Sequence, residues 1–509
     1  MSIFIFVLIT TAFVFLPFFA NPGLLLNRNN DLTEFFWPIF YYLKENILIN
    51  HQIPYWNNIF FSGTPLLPDP QNPIWYLPNI IFLFTSIDTA ILVSLFIHSL
   101  VGSLGMYLLA RRSFNFSSST SILLAGIYSL LPLPFSYLEA GHWGLFIVWN
   151  WLPFLVLSSY KLTLKPNFAY LFLFAASASS IYFNHVLTSL ITSIPILLFW
   201  IYKKSFLFPL LASLITLIII FPAFYLQYGW QPETTRSLLL SQPETFPIWR
   251  GKRDFIKTLF IFSPETEKAI TLGIIPSLIA IIGFLKIKRT QKIISVVIIT
   301  LTALISMNNV SPWLPLLMSS NLFVLMRVTT RVWPVAVFMV IFLVGKGLET
   351  LRRRTRYILG ILALVELIFI GYSYYQKPIV PREDIPAQIY EVLTKDKSNF
   401  RIFCLTRCIP QKNAAIYHLQ LVEGYGTLQQ KDYFYSLQKA LNTRWNKYTL
   451  SVPPFEVYLF QKLQPNAKLL ADFNTKYVIS KYLLIDTNFV LLERFDQYYL
   501  YSNRFWKPI

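Results

Sequence analysis

Charge is scarce in this 509-residue chain: Asp, Glu, Lys and Arg make up 13% of it, about half the ~25% of an ordinary soluble domain. A soluble protein of this length would need far more polar surface than that. Cysteine is almost missing, with two residues, and glycine numbers only 17, which excludes disulfide-rich scaffolds and collagen-like repeats. Intrinsic disorder requires few apolar residues, whereas the hydrophobic share here is 55%. The phosphate-cradling P-loop, the serine nucleophile elbow and the HExxH zinc motif are all absent, so nucleotide-driven pumping and serine or zinc hydrolysis lack support. No internal repeat or low-complexity tract is visible.

What is abundant is apolar sequence in long runs, with a mean hydropathy of +0.51. A spanning helix needs about 20 mostly apolar residues. Such runs lie near 2–20, 88–110, 117–136, 143–160, 167–183, 185–202, 205–226, 268–285, 291–307, 331–349 and 356–375. The first lacks a basic leader and a small-residue cleavage site, so it is expected to be a retained helix rather than a signal peptide. The chain reads as an all-α polytopic membrane bundle of about eleven helices over 1–376, followed by a small α/β domain over 377–509. In that tail a helix is expected near Ile385–Thr394, with strand-like runs at Arg401–Thr406, Tyr477–Ser480 and Phe489–Ser502.

Lys and Arg exceed Asp and Glu by 43 − 24 = 19. In a soluble protein this excess would suggest nucleic acid; in a membrane protein it marks cytoplasmic loops. Arg111–Arg112, Lys161 with Lys165, Lys203–Lys204, Lys286 to Lys292 and Arg352 to Arg356 follow alternate spans. Five connections agree, which predicts a cytoplasmic N-terminus. The segments 21–87, 227–267 and 308–330 and the C-terminal domain are then extracytoplasmic, with no nucleic-acid partner.

The loop 21–87 is unusually long for a connection. It carries Asp31 and Glu34, an amphipathic stretch Ile39–Ile49 suited to lying at the interface, and a high density of Trp, Tyr and Pro. Asp31 and Glu34 have the spacing of a helix capping box, and from spacing alone the cap is the favoured reading of both. Cys404 and Cys408 lie too far apart to bridge in an extended strand, whereas a turn or helix would bring them within reach; free buried thiols are the simpler expectation. Glu366 is a lone acid inside the last span, with no cation in its own helix to pair with.

The order Asp31, then Pro54-Tyr55-Trp56-Asn57 with Ser62-Gly63-Thr64-Pro65, then Asp69-Pro70-Gln71 and Tyr76-Leu77-Pro78 resembles the YfhO-type bacterial membrane proteins. Gly141-His142-Trp143 with Trp151-Leu152-Pro153, the pair Arg327 and Arg331, and the close Asn474-Thr475-Lys476-Tyr477-Val478-Ile479 with Tyr501-Ser502-Asn503 fit the same resemblance. Thr475 and Ser502 depart from the usual Val and Glu. Such proteins are similar to the GT-C class of glycosyltransferases, which take sugar from a polyprenyl-phosphate carrier at the outer membrane face and place an acid in the first outside loop.

The resemblance implies a polyprenyl-phosphate-linked sugar donor, a cell-envelope polymer, lipid or protein as acceptor, and Asp31 as general base, with Glu34 beside it. A sugar on a lipid phosphate already has a good leaving group, so one carboxylate can suffice. The departing phosphate needs positive charge, from side chains or from a divalent metal ion as cofactor; no metal-ligand set stands out in the sequence. Arg327 and Arg331, four apart and expected on one helical face, lead the candidates for the phosphate. The loop bases Arg250, Lys252, Arg253 and Lys257 follow; there Glu233, Glu244, Asp254, Glu265 and Glu267 offer competing partners. His142, Glu139 and His185 lie near outer helix ends, and His51 and His98 have weaker cases. Two other readings share the same features: a transporter or flippase for a lipid-linked saccharide, and a non-catalytic envelope-assembly scaffold. Against transport, no inverted repeat is visible.

Overall fold

The computed structural model describes residues 3–240, 247–263, 265, 267–447 and 449–508. Among the described residues, eight helices are long and apolar enough to cross a membrane: Ile87–Arg112, Ser118–Ala140, Trp143–Leu164, Val186–Lys203, Leu207–Glu233, Arg289–Ser306, Thr329–Thr350 and Arg353–Tyr375. Shorter apolar helices span Phe168–Asn184 and Ile274–Lys286, and another runs over Ile3–Ala20. The protein is a multi-pass membrane protein. Helices dominate because, in lipid, every backbone N–H and C=O must find its partner within the segment.

Breaks in the helices have local causes. Pro132 opens the helix Pro132–Ala140 and holds Leu131 in an extended conformation, as a residue before proline is driven to be. That helix ends at Gly141, whose φ is +76°, a conformation glycine adopts without a Cβ clash. The apolar run expected from residue 268 becomes helical only at Ile274. Glu366 explains why: its carboxylate accepts the N–H groups of Ile274 at 2.6 Å and Ile275 at 2.8 Å. The lone acid of the last span thus caps a neighbouring helix, its partners being backbone donors that charge pairing would not reveal.

The first long loop is built around a π-turn, Leu32–Phe36, running into the helix Trp37–Leu48. Trp37, Pro38, Ile39, Phe40 and Leu43 are buried in the main core, so the amphipathic stretch packs inside the protein on one face. Further on, the loop joins the C-terminal segment by backbone hydrogen bonds: Phe61 N–H donates to Glu423 C=O and Ser62 N–H to Leu421 C=O, each at 3.0 Å, and Leu421 N–H returns to Ile59 C=O at 2.8 Å.

The C-terminal segment holds a helix Ala387–Lys395 and a four-stranded sheet. Its spatial order is Arg401–Cys404, Thr475–Ser480, Tyr498–Asn503, Phe489–Phe495. The first pair is parallel and the rest antiparallel. Cys404 and Cys408 form a disulfide with Cα atoms 5.7 Å apart. This corrects the expectation of free thiols: the strand ends at Cys404 and Arg407 turns the chain back at a φ of +54°, so the two residues no longer lie along one extended segment.

Candidate active site

Asp31 is positioned by its neighbours rather than by a cap of its own. Its side chain makes no cap hydrogen bond to the turn it opens. Asn30 does that instead, accepting the N–H groups of Leu32 at 3.1 Å and Thr33 at 3.3 Å through Oδ1 and donating from Nδ2 to Glu139 C=O at 3.0 Å. The capping-box reading of Asp31 is therefore overturned: Asn also caps helices well, and the neighbouring residue took the role. The turn packs directly on Gly141, where an added Cβ would come within 2.3 Å of Leu32 N. The freed Asp31 carboxylate accepts from the Tyr425 hydroxyl, and its other oxygen lies 3.5 Å from His142 Nε2.

His142 links two carboxylates, since its Nδ1 lies 3.5 Å from Glu267 Oε1. Glu267, buried at 6% exposure, accepts Arg331 Nε at 3.1 Å and Nη2 at 2.9 Å and Thr330 Oγ1 at 3.3 Å. Burial pushes the Glu267 carboxyl up, but Arg331, His142 and the hydrogen bonds from Arg331 and Thr330 outweigh it and hold the group below its ordinary range. Arg331 Nη1 is 3.4 Å from His185 Nε2, whose ring caps the helix Val186–Lys203 through Thr188. One chain of groups thus runs Tyr425–Asp31–His142–Glu267–Arg331–His185. It joins the first loop, the start of the helix at Trp143, the segment before Ile274, a helix junction and the C-terminal segment. Beside Arg331 lies a narrow crevice, with room for about one water molecule, lined by Tyr137, Leu145, Val148, Trp149, Leu152, Thr188 and Pro334.

The other sequence candidates fall elsewhere. Glu34 is buried at 3% exposure and pairs with Arg382 and, at 3.3 Å, with Arg407, so it turns away from the Asp31–His142 side. Arg327 and Arg331 do not share a helical face: the helix Asn321–Met326 stops at Arg327, which takes a φ of +59°, and a separate 3-10 turn, Thr329–Val332, carries Arg331. Arg250, Lys252, Arg253 and Lys257 are exposed on or beside the helix Lys252–Phe260, with Arg250 4.0 Å from Glu265; Glu244 lies outside the described residues. Glu139 pairs with Lys377 at 3.1 Å. His98 is locked between Tyr76 Oη and Ser94 C=O, each at 2.6 Å, and His51 is exposed. Sequence reasoning passed over Tyr425 and over Glu267 as a site member. Glu267 stood only in a group of neutralising acids, and its one local signal, a non-glycine φ of +64°, is visible only in the structure. Among the described residues no three His, Cys, Asp or Glu side chains converge as a metal-ligand set.

Nearly the whole chain superposes on solved structures of other proteins. It covers 99% of its length on the arabinofuranosyltransferase AftD from Mycobacteria, with a TM-score of 0.59 and 11% identity. It matches ArnT from Cupriavidus metallidurans in the apo state with a TM-score of 0.54 and 12% identity, covering 99% of this chain and 98% of that one. The same ArnT bound to undecaprenyl phosphate gives 0.53 at 11% identity, with 99% of each chain covered. The fold is that of AftD and ArnT. This chain spans about 42% of AftD and nearly the full length of ArnT. At these identities the likeness concerns the fold alone. No protein-family model matches the sequence, and no curated protein matches it either.

Proposed function

We propose that this chain is a glycosyltransferase of the GT-C class, of YfhO type, that moves a sugar from a polyprenyl-phosphate donor to a cell-envelope acceptor at the outer face of the membrane. The observation that carries the reading is the linkage of Asp31 to Arg331. The fold brings a loop carboxylate and a guanidinium 300 residues apart in sequence into one chain of contacts, through His142 and Glu267. Asp31 takes the proton of an acceptor hydroxyl; the acceptor oxygen attacks the anomeric carbon as the bond to the phosphate oxygen breaks, and the polyprenyl phosphate leaves with the bonding pair. Arg331 donates from Nε and Nη2 to Glu267 and approaches His185 with Nη1, and since a guanidinium carries five N–H groups it retains further donors. Those donors serve the departing phosphate. The undecaprenyl phosphate bound in ArnT is a ligand of that chemical class.

Asp31, His142 and Glu267 do not fit a metal ion as a set, because Glu267 is already held by Arg331; proton transfer and phosphate stabilisation fall to side chains. Arg327 remains a second candidate for the phosphate, while Glu34 is better read as an anchor than as a catalytic acid. In the orientation proposed, the N-terminus is cytoplasmic and eleven helices cross the membrane, leaving the C-terminal α/β domain outside. The hydrogen bonds between the first loop and 421–425 support this, since they require both on one side. The test is incubation of the purified chain with labelled polyprenyl-phosphate sugars and a panel of hydroxyl acceptors. Asp31→Asn removes the base without touching a cap, so transfer should fall about 10²- to 10⁴-fold with unchanged melting. Undiminished transfer by Asp31→Asn would falsify the assignment of the base, and no transfer by the wild-type chain is what a flippase or scaffold predicts.

A further inference from the structure

We propose that Tyr425 is a positioning residue for the Asp31 carboxylate, so that the C-terminal segment completes the active site rather than merely covering it. This rests on the reading of Asp31 as the general base. A carboxylate on a loop rotates about its last bond, and a base that rotates spends little time aimed at the acceptor. Here one oxygen of Asp31 is taken by the Tyr425 hydroxyl, which fixes the plane and leaves the second oxygen on the His142 side. Tyr425 can only donate in this contact. Burial, and then the Asp31 charge, push its phenol well above the ordinary tyrosine value, so the proton stays on the hydroxyl through the working pH range.

The tyrosine is itself held on every side. Its N–H donates to Gln411 Oε1, and Gln411 Nε2 donates to Glu34 C=O and, at 3.3 Å, to Tyr425 C=O. The Arg407 guanidinium lies 5.5 Å from the ring centre. Arg407 donates to Glu34 Oε2 at 3.3 Å and to Ser451 Oγ at 2.9 Å, while Arg382 pairs with the same Glu34 oxygen. The strand Gly424–Tyr425 pairs with Ser451–Val452 and presses on the first loop so closely that a Cβ on Gly424 would sit 2.6 Å from the Phe61 ring. Glu34 therefore ties the turn that carries Asp31 to Arg407, which lies against Tyr425, and to Arg382 beside it. A buried carboxylate with two guanidiniums is a costly arrangement unless geometry is at stake, and here it sets the distance between the hydroxyl and the base.

Tyr425→Phe deletes one oxygen and nothing else. With the polyprenyl-phosphate sugar that the wild-type chain turns over, kcat should fall about 10- to 100-fold, the loss of one hydrogen bond to a charged group. KM for the donor should stay unchanged, and any drop in melting temperature should be small and not track kcat. Asp31→Asn combined with Tyr425→Phe should be no slower than Asp31→Asn alone, because the hydroxyl acts through the carboxylate. Wild-type kcat in Tyr425→Phe, with Asp31→Asn inactive, overturns the positioning role and leaves the base reading intact. A fall in melting temperature that tracks kcat and KM together reveals a packing residue and also overturns it. Full transfer by Asp31→Asn, or no transfer by the wild-type chain, removes the base reading itself, and the role of Tyr425 goes with it.

Discussion

Arg331 has two jobs in the proposed enzyme, and they can be separated. Its guanidinium neutralises Glu267, which is 6% exposed and accepts two of its N–H groups at 2.9 and 3.1 Å. Arg331→Ala leaves that carboxylate buried with only Thr330 and the 3.5 Å approach of His142. Stranding one member of a buried pair costs about 3–5 kcal/mol, so loss of donor binding in this variant would say nothing about phosphate. Arg331→Met with Glu267→Gln removes both charges and keeps the volume, and buried pairs replaced in this way are often neutral in stability. The double variant should melt as the wild type does, while Arg331→Ala melts well below it. The pH dependence has a definite sign. The folded carboxyl of Glu267 is held below its ordinary 4.5, so the contribution of the pair is fully present above that pH and lost as pH falls through the folded value. The deficit of Arg331→Ala should accordingly be widest near pH 7–8 and narrow toward pH 4. Binding of undecaprenyl phosphate, followed by native mass spectrometry, then isolates the second job: the stable double variant should bind at least about tenfold more weakly, the ~1.4 kcal/mol of one charged hydrogen bond. A stable double variant with undiminished binding would refute the phosphate role of Arg331. An Arg331→Ala chain that melts like the wild type would refute the buried-pair account.

Two further substitutions probe the supports of the site. Gly141→Ala puts a Cβ 2.3 Å from Leu32 N at a φ of +76°, a strain of about 1–3 kcal/mol; melting should drop and transfer fall at least about tenfold, and normal transfer would show that the Asp31 turn does not depend on this contact. Glu423→Gln tests a second buried carboxyl, pushed up to about 8 by burial against the opposing pull of backbone donors and of Arg407 and Arg382. A raised folded value favours the protonated native state, so wild-type stability should fall as pH rises from about 4.5 to about 8. The advantage of Glu423→Gln, which keeps an acceptor for Cys404 N–H, should grow over that window and then level off, as thermal melts at several pH values would register.

The helices were legible because what specifies them is local. An apolar run long enough to cross the bilayer must satisfy its own backbone, so most observed helices, such as Ile87–Arg112 and Val186–Lys203, begin and end within about a turn of the apolar runs. Part of the tail was legible too: the short strand-like run at 477–480 became a strand, while the alternating stretch 489–502 folded into two strands, Phe489–Phe495 and Tyr498–Asn503, of a hairpin. Asp31 was singled out by its place in a long loop and by resemblance, although spacing argued for a cap. What the sequence could not decide was the partner of each charge. Whether Asn30 or Asp31 turned toward the backbone depended on Glu139 and Gly141, over a hundred residues away. Glu34 met Arg382 and Arg407 rather than the site, Glu267 met Arg331 across 64 residues, and Glu366 met two amide groups of another helix. A carboxylate accepts from almost any donor within about 3 Å, and in a buried setting an unmet one is costly. Sequence therefore supplied the charged groups and the helices that carry them; only the packing of those helices against the loop and the tail chose which donor each acid would face.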